Sequence, residues 1–243
     1  GTEVAIILDQ TAFYAESGGQ VGDVGTIGSE SSRIEINDCK KVGNHSVHIG
    51  AVTLGTIGVG DSVNCSIDPV KRHRITLNHS ATHLLHEALR QVLGNHVHQR
   101  GSLVNEERLR FDFSHDSAVS PAEIRQIEQI ANTEILKNTE VTTEVMDMEQ
   151  AKAMGAMALF GEKYGDRVRV VSIGGQFSIE LCGGTHVTRT GDIGLIKVSA
   201  ETSVASGIRR IESVTGMQAL AFCDEQQDSI GEIVSIVRGS RSG

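Results

Sequence analysis

The sequence predicts an α+β fold made of an N-terminal small β-barrel, a domain in which helices pack on an antiparallel sheet, and a C-terminal helix. Three observations support this prediction. Short Val- and Ile-rich runs separated by Gly, Asp and Ser fill the first 68 residues, which is typical of small barrels. Two long segments with helical apolar spacing begin after Asp68 and Ser120. Alternating apolar strands lie between and after these segments, which indicates helices packed on one sheet.

The length of 243 residues allows one large domain or two ordinary ones. We divide the chain into a barrel domain with a Gly-rich loop (1–70), the helix-on-sheet domain (71–216) and a helical tail (217–243). The net charge of −9 argues against broad, non-specific binding of nucleic acid. A local basic patch remains compatible with that charge, and the candidates are Lys71-Arg72-His73-Arg74 and Arg209-Arg210.

Targeting signals are not recognisable in the sequence. It contains no run of about 18 apolar residues and no basic-then-apolar N-terminus, so it predicts neither a membrane span nor a secretory signal. Four irregularly spaced cysteines favour a reducing compartment, and we expect a cytoplasmic protein. The segments 1–2 and 238–243 look like cut ends, so we expect a fragment of a longer chain.

The barrel is interrupted by a Gly-rich segment over residues 16–23. Its Gly18-Gly19 pair allows the backbone to approach a neighbour or ligand closely, although a plain hairpin turn is the alternative. The predicted strands around it cover residues 3–9, 33–37, 47–49 and 63–67.

The first helix is predicted to begin near residues 72–74, after a break at Asp68-Pro69, and to end at Gly94-Asn95. Its apolar stripe runs from Leu77 to Val92. Three histidines, at 79, 83 and 86, lie roughly 140–160° from the centre of that stripe at about 100° per residue. The helix therefore presents three imidazoles to a cavity or to solvent.

The remaining elements alternate between strands and helices. Ser120, Pro121 and Glu123 form a capped helix start. The tail helix carries an apolar stripe that packs on the domain, pairs with another copy, or leads into a missing part. The predicted bounds are an extended segment 95–104, a strand 108–113, a helix to about 138, a strand 140–146, a helix 147–154 extended or followed by 156–160, a hairpin 167–173 and 176–181, strands 193–200 and 208–214, and the tail helix 217–237.

Two distant motifs together predict a metal site. His79 and His83 have the i, i+4 spacing by which one helix face holds a metal, and Cys182 and His186 flank a Gly-Gly bend. One thiolate and three imidazoles suit Zn²⁺. Four protein ligands would close a structural site, whereas three would leave a position for water or substrate, and the sequence leaves both open.

The first histidine motif lacks the Glu that serves a metalloprotease as general base. Peptide cleavage is difficult without such a base, whereas an activated ester needs less help. Thr82 and Gln99 are the nearest candidates to orient water or substrate.

Six motifs, in order and at the right spacing over about residues 3–217, closely resemble the editing domain of bacterial alanyl-tRNA synthetase, and they are similar to the related free-standing trans-editing proteins. No ligand position departs from the family pattern, and we expect no aminoacylation domain. The motifs are Phe13-Tyr14-Ala15-Glu16-Ser17-Gly18-Gly19-Gln20, His79-Ser80-Ala81-Thr82-His83, Gln99-Arg100-Gly101-Ser102-Leu103, Leu109-Arg110-Phe111-Asp112-Phe113, Cys182-Gly183-Gly184-Thr185-His186 and Ser206-Gly207-Ile208-Arg209-Arg210-Ile211.

The resemblance implies hydrolysis of the ester in mischarged Ser-tRNA(Ala) and Gly-tRNA(Ala) by the 71–216 domain. Zinc would be held by His79, His83, Cys182 and His186. Thr82 and Gln99, with Cys182, would form the catalytic and amino-acid-selecting set. The residues expected to face the substrate or the acceptor end of tRNA(Ala) are Gly18, Gly19, Gln20, Arg100, Gly207, Arg209 and Arg210.

Two other functions remain open on the residues alone. One is a zinc-stapled RNA-binding module without turnover, and the other is a metallohydrolase of small-molecule esters. An editing site must spare alanine, and a site that hydrogen-bonds a substrate hydroxyl rejects an analogue lacking it by about 10⁴–10⁵. Thr82 and Gln99 are suitable partners for a serine hydroxyl. Self-association through the tail helix is a further expectation.

Overall fold

A computed structural model describes residues 1–158 and 165–236, and its fold is α+β. The predicted extension over 156–160 and the end of the tail helix at 237 fall partly outside these residues. The predicted domain boundaries at 70 and 216 stay predictions.

The N-terminal part forms a five-stranded antiparallel sheet in the order β1-β4-β3-β2-β5. Within the described ranges no pairing joins β1 to β5, so a closed barrel is not confirmed. β2 has no counterpart among the predicted strands because two of its four residues are glycine, which has weak strand propensity. The strands are β1 (Thr2–Ile7), β2 (Gly25–Gly28), β3 (Arg33–Val42), β4 (His45–Leu54) and β5 (Asn64–Ile67).

The first helix, α1 (Pro69–Leu93), begins earlier than the sequence pattern predicts. The Asp68 carboxylate accepts hydrogen bonds from the backbone N–H groups of Val70 and Lys71, both at 2.9 Å. Pro69 fits the first helical position because its missing N–H would have no partner there. The predicted break is therefore the N-terminal cap, and Gly94 ends the helix as predicted.

α1 packs against a four-stranded antiparallel sheet in the order β11-β12-β7-β6 and against α2 (Pro121–Leu136). Ser120 and Glu123 form the predicted capping box at the start of α2. The strands are β6 (Gln99–Val104), β7 (Leu109–Ser114), β11 (Ile196–Ala205) and β12 (Ile208–Thr215). The histidines at 79, 83 and 86 are each only 3–5% exposed, so this side of α1 faces the protein interior and not solvent.

A third sheet, in the order β10-β9-β8, supplies the other half of the site. It contains β8 (Thr142–Asp147), β9 (Arg167–Ile173) and β10 (Ser178–Leu181), with α3 (Met148–Ala153) after β8. The hairpin of β9 and β10 is confirmed, and β10 leads directly into Cys182.

The chain continues into α4 (Gly216–Ile236), whose apolar side chains Ile230, Ile233 and Ile236 are 54–78% exposed. Ile230 and Ile233 of the predicted apolar stripe are therefore exposed on this helix, whereas Val234 is half-buried and position 237 lies outside the described residues. None of the helices within 1–158 and 165–236 is both long and apolar enough to cross a membrane.

Candidate metal centre

The two predicted half-sites meet between α1 and the loop after β10. The ligand atoms of His79, His83, Cys182 and His186 all lie within 4.8 Å of one another. His79 and His83 lie one helical turn apart, and their rings stack at a centroid distance of 5.3 Å. The prediction that these four residues form one cluster is confirmed.

The spacing of the donor atoms fits a single ion. Cys182 Sγ lies 3.4 Å from His79 Nε2 and 3.3 Å from His186 Nε2. Zinc bonds of about 2.3 Å to sulfur and 2.0–2.1 Å to nitrogen in a tetrahedron separate those atoms by about 3.5 Å. The two distances from Cys182 Sγ therefore match the ligand spacing of one tetrahedral zinc ion.

Each imidazole is oriented through its other nitrogen, which leaves Nε2 facing the cluster. His79 Nδ1 lies 2.6 Å from Gln20 Oε1, and His83 Nδ1 lies 2.9 Å from Glu180 Oε2. His186 Nδ1 lies 3.3 Å from Ser80 Oγ, which also accepts the Val187 N–H. His83 Nε2 is buried and has no hydrogen-bond partner within the described residues. A hydrogen bond at Nδ1 fixes the tautomer of a histidine that binds metal through Nε2. A metal ion would also satisfy the unpaired Nε2 of His83.

The electrostatics of the cluster favour a thiolate. Burial opposes ionisation of Cys182, but His79, His186 and His83 outweigh it and hold the pKa of the thiol well below its usual value. Burial likewise opposes a charged His83, yet Glu180 and Cys182 raise its pKa to about 10. Burial and the neighbouring His79 lower the pKa of His186 to about 3. The pKa of Glu180 is lowered because His83 and His86 outweigh the effect of its burial. A cation bound in the cluster would thus contact the Cys182 thiolate, and the Glu180 carboxylate would add a second negative charge nearby.

The loop that carries Cys182 depends on a close approach at Gly184. A Cβ at that position would lie 2.0 Å from Cε1 of His79, which leaves no room for any side chain. Arg169 fixes the loop by donating to the Cys182 carbonyl at 2.7 Å and to the Gly184 carbonyl at 2.9 Å. The predicted bend is therefore needed to bring the thiolate against the histidine pair.

A cleft of about 260 Å³, here the loop cleft, opens onto this cluster. Gly18, in the Gly-rich turn of the N-terminal part, lines this cleft together with His79 and Cys182. Gly19 has φ +86°, and a Cβ there would lie 2.6 Å from the Ser102 carbonyl oxygen, so the Gly-Gly turn also requires glycine for close packing. Three cations, Lys41, Arg167 and Arg169, line the same cleft.

A second cleft of about 430 Å³, here the Gln99 cleft, lies further along α1. Both Gln99 and Arg100 line it, together with His86. The remaining residues of its lining are Arg90, His98, Met157 and Ala158.

Thr82 is buried on α1 between the two histidine ligands, and its hydroxyl donates to the Asn78 carbonyl at 2.8 Å. The hydrogen of this hydroxyl is therefore used within the helix, and only its oxygen lone pairs remain to contact a substrate.

Two of the three arginines predicted to face the substrate or tRNA, Arg209 and Arg210, make bidentate ion pairs. Arg209 binds Glu201 at 2.6 and 2.7 Å, and Arg210 binds Asp112 at the same two distances. Gly207 forms the turn before them with φ +70°. Of the other proposed basic patch, Lys71 lies 3.0 Å from Glu106 and Arg72 contacts the buried Asp23. The positive charges of these four side chains are thus largely neutralised by carboxylates of the protein itself.

Sequence reasoning missed three supporting residues, Glu180, Ser80 and Arg169. Glu180 could have been identified from the sequence. Side chains two residues apart on a strand point to the same side, and Glu180 lies two residues before Cys182 at the end of β10. Gln20, expected to face the substrate, is fully buried and contacts His79 and Thr185.

Comparison with known proteins adds an independent finding. A model of class II (A) tRNA synthetases matches residues 1–71, and a model of the threonyl and alanyl tRNA synthetase second additional domain matches residues 168–212. The chain is 55% identical over 241 residues to the alanine--tRNA ligase of Pseudomonas fluorescens, covering 99% of this chain and 28% of that protein. Over nearly its whole length, the chain is a relative of bacterial alanine--tRNA ligases. The match to the ligase of Shewanella loihica is equally high, at 55% over 239 residues, 98% of this chain and 27% of the relative. The chain thus spans little more than a quarter of these curated relatives.

Proposed function

We propose that the chain is an editing hydrolase that deacylates Ser-tRNA(Ala) and Gly-tRNA(Ala). The observation that carries the proposal is the buried group of three histidines and one cysteine at the base of the loop cleft. Relationship to alanine--tRNA ligases over 99% of the chain supports tRNA(Ala) as the partner.

The reaction is hydrolysis of the ester that joins the amino acid to the terminal ribose. Water adds to the acyl carbon, the bond to the ribose oxygen breaks, and that oxygen takes a proton, which yields free amino acid and tRNA(Ala). The residues that would hold zinc are His79, His83, Cys182 and His186. When bound, zinc would supply a fixed positive charge that polarises the ester.

The charges of the loop cleft suit the end of a tRNA. Lys41, Arg167 and Arg169 line it, although the chain as a whole carries a net charge of −9. Phosphates attract Lys and Arg irrespective of base sequence, so these side chains would hold the terminal nucleotides. Gly18 permits close approach of that backbone to the cluster.

The amino-acid group would lie on the Gln99 side of α1. Gln99 and Thr82 offer polar oxygens and, in Gln99, an amide donor to distinguish serine from alanine. A hydroxyl-binding pocket can supply far stronger discrimination than size alone.

The proposal is tested by deacylation of matched Ser-, Gly- and Ala-tRNA(Ala) by the purified, zinc-loaded chain. We expect release of serine and glycine, and no release of alanine above the buffer rate. Cys182→Ala should lose bound zinc and activity, whereas the control Cys223→Ala, at a half-buried position on α4, should keep both. Intact Ser-tRNA(Ala) after incubation with the zinc-loaded chain would refute the proposal.

The four protein donors also fit a closed structural site, and this favours a zinc-stapled RNA-binding module as the second candidate. In that case Cys182→Ala would unfold the protein, and no acyl-tRNA would be turned over. Hydrolysis of free amino-acid esters as fast as tRNA-linked ones would instead indicate a small-molecule hydrolase.

A further inference from the structure

His86 is a buried histidine with only one nitrogen paired. It is 4% exposed, and its Nδ1 lies 3.0 Å from Glu180 Oε1, but its Nε2 has no hydrogen-bond partner within the described residues. His48, in contrast, is a buried histidine with both ring nitrogens paired. It is fully buried, and its two nitrogens lie 3.0 Å from the Ile6 carbonyl and 2.7 Å from the Thr11 hydroxyl. Because buried polar atoms are normally paired, the unpaired Nε2 of His86 is an acceptor that a ligand or a water molecule would satisfy.

The location of His86 separates it from the other buried atoms without partners in the described part of the chain. His83 Nε2 belongs to the metal cluster. Arg110 Nε and Ser213 Oγ belong to residues that line neither the loop cleft nor the Gln99 cleft. His86, by contrast, lines the Gln99 cleft beside Gln99 itself.

Glu180 determines what His86 can offer to a ligand. Its carboxylate accepts from Nδ1 of His86 and of His83 and from the Ser178 hydroxyl. A nitrogen that faces a carboxylate carries the hydrogen, so in the neutral ring with its hydrogen on Nδ1 the buried Nε2 of His86 carries an unused lone pair, which is an acceptor. The ring also packs against Phe111 at a centroid distance of 5.0 Å, which fixes its direction.

We propose that His86 is a specificity-determining residue whose Nε2 accepts a hydrogen bond from the hydroxyl of a seryl group in the Gln99 cleft. This inference rests on the proposed function. His86 lies three residues beyond the ligand His83, about 4.5 Å along the axis of α1, a distance that a seryl group spans.

An acceptor at this position explains how glycine and serine are accepted and alanine is rejected. The serine hydroxyl pairs with Nε2 directly. Glycine leaves room for a water that pairs with it. The methyl group of alanine fills that room and carries no donor, so Nε2 stays buried and unpaired in the bound state.

The test compares two amide substitutions of His86. In His86→Asn, the amide nitrogen stands near the position of Nδ1 and keeps the donor to Glu180, but the Nε2 acceptor is lost. In His86→Gln, the amide reaches the position of Nε2 and keeps an acceptor there. We expect His86→Asn to lower kcat/KM for Ser-tRNA(Ala) about tenfold or more and to leave Gly-tRNA(Ala) within about threefold. His86→Gln should retain most of the serine activity.

Bound zinc is measured in both variants, and we expect wild-type content because His86 is not in the ligand group. An equal fall for serine and glycine in His86→Asn, an unchanged serine rate, or loss of zinc would overturn the inference. Failure of the wild-type chain to release either amino acid would instead refute the proposed function itself.

Discussion

Gln20 Oε1 lies 2.6 Å from Nδ1 of His79, and this contact joins the Gly-rich turn of the N-terminal part to the first histidine of the cluster on α1. The same oxygen accepts the Thr185 N–H at 2.9 Å, and the amide nitrogen donates to the Thr185 hydroxyl. One side chain therefore connects the N-terminal sheet with both halves of the cluster. The arrangement predicts that the metal site depends on residues outside the 71–216 region.

We expect Gln20→Ala to weaken zinc binding about 10–100-fold, because loss of the partner frees the His79 ring to rotate. The measurement is competition with a chelator of known affinity. Gln10→Ala, at an exposed position, is the matched control and should bind zinc as the wild type does. Equal zinc affinity in the two variants would show that Gln20 does not help to hold the metal site in place.

The two glycines of the Cys182 loop should respond differently to a methyl group. Gly184→Ala would place its Cβ 2.0 Å from a His79 carbon, so the loop or the ring must move, at a cost of about 1–3 kcal/mol or more. We expect loss of bound zinc and a lower melting temperature. Gly183→Ala meets no atom within 4 Å and should keep its zinc. Similar zinc content in both would show that the loop is not fixed as described.

Arg72 neutralises a buried carboxylate that supports the Gly-rich segment. Asp23 is 2% exposed, binds Arg72 Nε at 2.8 Å and accepts the Tyr14 N–H at 2.6 Å. Arg72→Ala should lower the free energy of unfolding by about 3 kcal/mol because it leaves Asp23 buried and unpaired.

The control for this change is Arg33→Ala, since the Arg33–Glu35 pair is 59% and 44% exposed. We expect a loss of only about 0–1 kcal/mol there. Denaturant unfolding of both variants measures the difference, and a loss at Arg72 no larger than at Arg33 would contradict the prediction.

Thr82→Val tests whether the hydroxyl oxygen of Thr82 contributes to substrate selection, although the hydroxyl hydrogen is donated to the Asn78 carbonyl of the same helix. The change keeps the shape but removes the oxygen, so we expect the ratio of serine release to glycine release from tRNA(Ala) to fall about tenfold. Thr133→Val on α2 is the control, because its exposed hydroxyl donates to the Gln129 carbonyl in the same way. A ratio that stays at the wild-type value in Thr82→Val would exclude Thr82 from selection.

Local patterns predicted much of the fold and the cluster. The capping box at Ser120 and the hairpin of β9 and β10 follow from residues a few positions apart. The sequence pattern places the start of α1 about one turn too late, because Asp68-Pro69 resembles a break although Pro69 is the first helical residue. The three histidines were expected at a cavity or in solvent, and their burial depends on the sheets that cover α1.

The sequence alone was enough to predict which residues form the histidine–cysteine cluster, because the spacing of His79 and His83 and the Gly-Gly bend after Cys182 are local properties of the chain. Only the tertiary structure decided which group orients each donor. Gln20 and His79 are 59 residues apart, and Glu180 and His86 are 94 apart. Such contacts follow from the packing of separate sheets on one helix, and no short-range spacing encodes them. The same packing leaves His86 Nε2 buried and without a hydrogen-bond partner among the described residues, on a side chain that lines the same cleft as Gln99.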